Sequence, residues 1–342
     1  MMKKYCFGKR LLTEILLISM LSLIITPLEG SAAERIRIAT IGTRTPTLDK
    51  SQGHQKMVEQ MIAFWKKELE QVIHDKPDLI VLPENCDFPW GLTNEERNEY
   101  IRVRGNQIID YFASVAKSTK SYFAFGMRRV DDDGNLRNSG VLLDRQGEIV
   151  GIYDKNYPTI GEMEAGIKPS TEVPVFECDF GRVAIAICYD LNFDELREKY
   201  IALDPDLIVF PSAYHGGFVQ SDWAYTCRAY FVGSISGRGA PSQIRNPIGE
   251  VVASSTNYFN FTVVDVNLDY ELAHLDYNWG KLRQLKKKYN DRVEITDPGE
   301  VGVVLITSEN DNVSAKQMVE EFKIELVDDY FQRSREKKKS YE

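Results

Sequence analysis

Between residues 35 and 266 the chain alternates short β-branched apolar runs with longer stretches of helical spacing. Arg35–Ile41 (RIRIATI) alternates in the manner of a half-buried or edge strand. From His54 to Asp75, the residues Val58, Met61, Ile62, Trp65, Leu69, Val72 and Ile73 share one helical face, which predicts a long amphipathic helix. The apolar run Asp78–Glu84 (DLIVLPE) then completes a βαβ start. A second helix is expected over Asn94–Thr119, a strand over Tyr122–Gly126, and a hairpin from 140–144 and 148–153 around Arg145–Gly147.

The second half repeats this texture. Arg182–Asp190 (RVAIAICYD) reads as a buried strand that delivers Cys188, followed by a helix over Phe193–Ala202. Asp206–Phe210 (DLIVF) is a further buried strand ending in Pro211 and Ser212, with a helix near Ser221–Tyr230 and a strand at Phe231–Ile235. Asn246–Gly249 is a turn, and 250–254 and 261–266 read as strands. Sheets with helices on their outer faces follow from this order, so the fold class is α/β. Without a repeat or a low-complexity linker, one domain is expected over 34–268. The highly charged remainder, 269–342, holds a strand-like run (Gly302–Thr307) and an expected helix (Ala315–Gln332). It reads as an extension packing on this domain or on a second copy.

Composition narrows the function. The 342 residues, 43% hydrophobic and 27% charged, suffice for one large or two modest cores. A net charge of −9, with no basic stripe beyond Lys337–Lys339, argues against a nucleic-acid partner. Lys3, Lys4, Lys9 and Arg10 precede the mostly apolar Leu11–Leu28, and EGSAA follows at 29–33. Residues 1–33 therefore read as a secretory signal, with periplasmic or extracellular localisation expected and an uncleaved membrane anchor as the alternative. Of the five cysteines, Cys6 lies before the apolar run, which argues against lipidation. The rest are too few for a stapled scaffold, and four histidines without a CxxC pair give no zinc pattern.

Three strand exits carry reactive groups: Glu84 after LIVLP, Lys155 after IVGIYD, and Cys188 after VAIAI. A cysteine alone reads equally well as a buried structural thiol, and Lys155 alone as a surface lysine. A thiol, a carboxylate and an ammonium together are the parts needed to attack an amide or nitrile carbon covalently. Phe88, Trp90, Tyr157, Tyr189, Asn192, Ala213, Tyr214 and Trp223 lie near these exits as candidate pocket residues.

The ordered set of Glu84 after LIVLP, Lys155 in a Tyr-x-Lys segment and Cys188 in ICYD, with DLIVFPS at Asp206–Ser212, resembles the nitrilase (carbon–nitrogen hydrolase) superfamily. The resemblance runs from Arg35 to about Val266. It implies a four-layer α-β-β-α sandwich, a homodimer or higher homo-oligomer, and no metal or organic cofactor. It also implies Glu84 as general base, Lys155 as oxyanion stabiliser and Cys188 as nucleophile. A second glutamate is implied shortly after the lysine, Glu162 or its rival Glu164, and the Tyr189 N–H would be an oxyanion donor. The implied reaction is hydrolysis of a small amide or N-carbamoyl compound through a Cys188 thioester, with nitrile hydrolysis or N-acyl transfer as alternatives on the same site. A cysteine protease using His215, or a non-catalytic binding protein on the same scaffold, are rival readings.

Overall fold

The computed structural model describes residues 34–237 and 239–342; the N-terminal segment read as an export signal lies outside them. In chain order the first half comprises β1 (Arg35–Ile41), α1 (His54–Leu69), β2 (Leu79–Val81), α2 (Asn94–Arg104), α3 (Gln107–Thr119), β3 (Tyr122–Val130), β4 (Leu136–Leu143), β5 (Ile149–Asp154) and α4 (Ile160–Glu164). The second half runs β6 (Val175–Cys178), β7 (Gly181–Ile185), α5 (Asp194–Leu203), β8 (Leu207–Ser212), α6 (Val219–Cys227), β9 (Tyr230–Ile235), β10 (Gln243–Arg245), β11 (Val251–Ser254) and β12 (Phe261–Asn267). The tail adds β13 (Tyr270–His274), α7 (Trp279–Tyr289), β14 (Val293–Thr296), β15 (Val303–Ser308), α8 (Ala315–Glu321) and α9 (Val327–Lys339).

Two six-stranded sheets form, in the orders β12-β1-β2-β3-β4-β5 and β11-β10-β9-β8-β7-β6. Each has a parallel centre, β1-β2-β3 in one and β7-β8-β9 in the other, with antiparallel flanks. The sheets pack face to face through Ile38, Val81, Leu142, Ile185, Val209 and Val232, all fully buried. The approach is close: a Cβ at Gly140 on β4 would lie 2.5 Å from the Ile185 side chain on β7. On the outer face of the first sheet, Val58, Met61 and Trp65 of α1 and Phe112 of α3 meet Ile80, Phe123 and Phe125. Leu196 and Tyr200 of α5 and Trp223 of α6 cover Ile208, Phe210 and Phe231 on the second. This is the expected α-β-β-α sandwich. Purely apolar strands such as LIV at β2 are buried on both faces because a layer lies on each side.

Three helices depart from the sequence reading. The expected helix over 94–119 breaks at Gly105, whose backbone is left-handed (φ 48°), giving α2 and α3. The helix from His54 ends at Leu69, and a short 3-10 turn at Ile73–Asp75 carries the chain to Pro77. The tail helix over 315–332 is two, α8 and α9. The tail also builds a small sheet of its own, β13-β15-β14, covered by α7 and α8 through Leu285, Ile306 and Met318. It is bound to the larger body by the Arg228–Asp328 ion pair at 3.0 Å, the Tyr270 hydroxyl on Arg228 O at 2.7 Å, and Asn267 Nδ2 on Ser308 O at 2.6 Å.

Candidate active site

The carboxyl ends of the parallel strands from both sheets converge on one side, the usual place for a site in an open α/β sheet. Pro83 and Glu84 leave β2 into a turn where Asn85 is left-handed (φ 54°). The turn can lie against β3 because residue 126 is glycine: a Cβ there would sit 2.6 Å from Glu84 Cα. Backbone packing thus fixes where Glu84 emerges.

Lys155 follows β5 and is only 1% exposed. Its Nζ donates to Glu84 Oε1 at 2.8 Å and to Glu162 Oε2 at 2.9 Å. Asn138 on β4 bridges the same pair, Nδ2 donating to Glu84 Oε1 at 2.8 Å and to Glu162 Oε1 at 2.7 Å. Arg128 on β3 adds a 3.2 Å bond to Glu162 Oε1. Glu162 also closes a capping box at the start of α4, accepting from the Thr159 N–H at 2.9 Å while its own N–H donates to Thr159 Oγ1 at 3.2 Å. Glu164 is exposed on the same short helix, so Glu162 is the glutamate beside the lysine. Burial disfavours the Lys155 ammonium, but Glu84, Cys188 and Glu162 outweigh it and raise its pKa. Burial likewise pushes the Glu162 carboxyl up, yet the Lys155 charge and hydrogen bond prevail and hold it below its ordinary value. Lys155 and Glu162 are therefore both charged at neutral pH.

The nucleophile candidate is presented differently. β7 ends at Ile185, and Cys188 opens a 3-10 turn, Cys188–Asn192, with a left-handed backbone (φ 48°). For a residue with a Cβ that conformation costs about 1–2 kcal/mol. Asp190, fully buried, compensates: Oδ2 accepts from the Ile187 N–H at 2.9 Å and the Tyr153 hydroxyl at 2.8 Å, and Oδ1 from the Tyr157 N–H at 2.8 Å. Tyr153 and Tyr157 flank Lys155, so one carboxylate ties the cysteine turn to the lysine segment. Burial first, and then the Glu84 charge, push the Cys188 thiol up to about 12, against Lys155, the Ala213 backbone and the Ser212 hydroxyl. The sulfur therefore lies within electrostatic reach of both Glu84 and Lys155, and rests as a thiol with a carboxylate beside it. Among the described residues all four cysteines are free.

A cavity of about 190 Å³ opens beside Glu84, bordered by Thr43, Phe88, Arg128, Ala213 and Ser236. Of the candidate pocket residues, Phe88, Trp90 and Ala213 border it. Tyr157, Asn192 and Tyr214 do not border it. Tyr157 stacks on Phe193 with centroids 3.8 Å apart, and Asn192 Nδ2 donates to the Tyr214 hydroxyl at 3.0 Å, which commits these rings to the flank of the cysteine turn. Tyr189 packs edge-on against Phe193, leaving its backbone N–H in the first turn of the 3-10 helix, where amides have no partner within the turn. Trp223 is fully buried and donates to Leu191 O, a core role. His215 faces Gln243 at 3.1 Å and accepts from the Gly217 N–H at 3.1 Å, so both ring nitrogens are engaged away from Cys188. The cysteine-protease reading loses its histidine.

Sequence reasoning missed Asn138 and Arg128, which sit in ordinary strand context. Asp190 was visible as a carboxylate directly after an apolar run. Its part in holding the turn needed coordinates.

This arrangement and its fold define a class. The chain belongs to the carbon–nitrogen hydrolase family, whose model matches residues 37–234, and it is an enzyme of that kind. It is similar to a deaminated glutathione amidase of Dictyostelium discoideum (24% identity, covering 67% of this chain and 87% of that one) and to an omega-amidase of Xenopus tropicalis (24%, covering 60% and 82%). Among solved structures it is similar in fold to Nit3 of Saccharomyces cerevisiae, a nitrilase-superfamily member (TM-score 0.58, 15% identity, covering 68% of this chain and 90% of that one). An amidase from Nesterenkonia sp. gives a TM-score of 0.58 at 17% identity, covering 77% of this chain and 98% of that one.

Proposed function

We propose that this enzyme hydrolyses a small amide or N-carbamoyl compound through a thioester on Cys188. The observation that carries the reading is the Lys155 ammonium held between Glu84 and Glu162, within electrostatic reach of Cys188 in its left-handed turn. A thiol pushed to about 12 has almost no thiolate at neutral pH, so its proton must leave as it attacks. Glu84 is the acceptor at hand. Attack on the carbonyl carbon places negative charge on its oxygen, where Lys155 and the Tyr189 N–H would donate. Each such donor contributes about 3 kcal/mol in acyl transfer. Glu84 then returns the proton to the departing nitrogen, the C–N bond breaks, and the acyl group stays on sulfur. Water activated by Glu84 hydrolyses the thioester and restores the thiol. Glu162 and Asn138 hold Lys155 and Glu84 in register throughout.

The relatives' names, deaminated glutathione amidase and omega-amidase, support amide over nitrile. The test is ammonia or amine release from a panel of small amides, N-carbamoyl compounds and nitriles, with intact-protein mass spectrometry of the acyl adduct. Cys188→Ala should abolish both signals. Release by that variant at the parent rate would overturn the scheme, and transfer of the acyl group to an added amine in place of water would reassign the reaction. The basic start, apolar run and small-residue site of residues 1–33 support export as the location. The N-terminal residue of the mature protein, read by Edman degradation, tests it: a start beyond Ala32 agrees, an intact Met1 does not.

A further inference from the structure

The cavity beside Glu84 carries more positive charge than its own carboxylates use. Arg128 is committed, with Nε donating to Asn85 Oδ1 at 2.9 Å and its other end to Glu162. Arg97, from the first turn of α2, borders the same cavity and among the described residues has no acid on it. Its Nη1 makes only a long 3.4 Å contact with Asn94 Oδ1, and its Nε is buried with no hydrogen-bond partner. The adjacent Glu96 is turned away, onto Lys50 at 2.6 Å and the Thr93 N–H at 2.8 Å. Burial and the Arg128 charge both disfavour the Arg97 cation, and no carboxylate opposes them. Trp90, which borders the cavity, carries the Arg44 guanidinium stacked 3.2 Å over its ring. The Phe88 ring lies near both guanidiniums, with the Arg97 and Arg128 carbons 5.6 and 5.9 Å from its centroid. A protein of net charge −9 thus holds, beside Glu84, a cavity with an apolar wall at Phe88 and an unneutralised cation at Arg97.

We propose that the substrate is a small amide bearing a carboxylate remote from the scissile bond, and that Arg97 binds that carboxylate. This rests on the hydrolase reading above and adds the substrate's charge. A guanidinium fork is the group that receives a carboxylate through two parallel hydrogen bonds. A buried donor without a partner calls for one, and a ligand carboxylate in the cavity would supply it.

The test compares glutaramate and N-carbamoyl-β-alanine with the uncharged valeramide, in the parent enzyme and in Arg97→Met and Arg97→Lys. The parent should prefer the anionic amides by about 10- to 100-fold in kcat/KM, the size of one set of hydrogen bonds to a charged group. In Arg97→Met that ratio should collapse, chiefly through KM on the anionic substrates, and Arg97→Lys should restore part of it. The two anionic probes distinguish a dicarboxylic monoamide from a carbamoyl amino acid. Equal turnover of valeramide and the anionic amides, or equal losses on all three in Arg97→Met, would overturn the proposal and leave the thioester scheme standing. If no amide is hydrolysed, the scheme itself falls, and calorimetric titration with glutarate decides the anion claim alone. Saturable binding to Cys188→Ala that vanishes in Cys188→Ala/Arg97→Met sustains it; absence of binding ends it.

Discussion

The two sheets bring different things to the cleft and hold them by different means. From the first come Glu84, Lys155, Glu162, Asn138 and Arg128, locked by side-chain hydrogen bonds of 2.7–3.2 Å among themselves. From the second comes Cys188, whose direction is set by its backbone and by Asp190 binding three donors around it. The contrast follows from chemistry. Charged groups bond strongly to one another and can be arrayed by partners, whereas a thiol is a weak hydrogen-bonding group and must be aimed by the main chain. A turn that aims a side chain through a left-handed residue stores strain, and the neighbouring structure has to over-determine it.

The comparison breaks most sharply at Asp190. Asp190→Ala leaves two buried N–H groups and one hydroxyl without acceptors, at about 1–3 kcal/mol each. We expect a loss of about 3–5 kcal/mol in chemical denaturation, with kcat down by 10²-fold or more as the cysteine turn relaxes. A variant of parental stability and turnover would show that the φ 48° turn holds itself. Next is Gly126→Ala, which tests the first sheet where backbone, not hydrogen bonding, places the acid. The added methyl meets Glu84 Cα at 2.6 Å, and something must shift. About 1–3 kcal/mol of destabilisation is expected. The displaced Glu84 should lower kcat by about 10²-fold, since small misplacements of a reacting group are that costly. Thermal unfolding and kcat on the same sample check both.

These two positions also mark what was legible beforehand. LIVLP and VAIAI announced the sheets because both faces of those strands are buried, whereas IVGIYD is a partly exposed edge strand, and each run pointed at the residue it delivers. Reactive groups at strand exits therefore stood out in the sequence, and the family resemblance of their ordered set is what gave Glu84, Lys155 and Cys188 their expected roles. Glu162 was one of two candidates, separated only by the Thr159 capping box that turns one glutamate inward. Asn138 and Arg97 were invisible: a strand asparagine and a helix arginine have no local pattern, and their meaning lies in neighbours that only the folded chain supplies. The break at Gly105 was missed because helical apolar spacing continues on both sides of it. Tyr157 and Tyr214 sit beside the motifs in sequence, and in the fold their rings meet Phe193 and Asn192 on the flank of the cysteine turn.

A milder perturbation addresses the polar network directly. Asn138→Leu keeps the buried volume while removing the one amide that bonds both Glu84 and Glu162, leaving Lys155 as the group that bridges the two. Supporting partners of this type affect activity by about 10- to 100-fold. The loss should fall on kcat with KM little changed, because Asn138 does not border the cavity. A change confined to KM would place Asn138 in substrate binding.

The smallest effect sharpens the comparison from outside the site, by asking what a largely buried carboxylate does without such a network. Glu271 on β13 is pushed up to about 7, first by burial; Lys316 opposes this, while Asp269, Asp204 and Glu320 add to it. Glu162, with a lysine, an arginine and an asparagine on it, moves the opposite way. Below pH 4.5 Glu271 is protonated in both the folded and the unfolded chain, and its contribution to stability is fully present. As pH rises toward 7 the unfolded chain releases this proton while the folded one retains it, so stability is progressively lost through that window and stays lost above it. Glu271→Gln cannot ionise. It should match the parent near pH 4 and exceed it by about 1–2 kcal/mol at pH 8, after discounting the shift for partial exposure. Urea denaturation at the two pH values measures the difference, and a parent as stable as the variant at pH 8 would mean that Lys316 neutralises Glu271 as fully as Lys155 does Glu162.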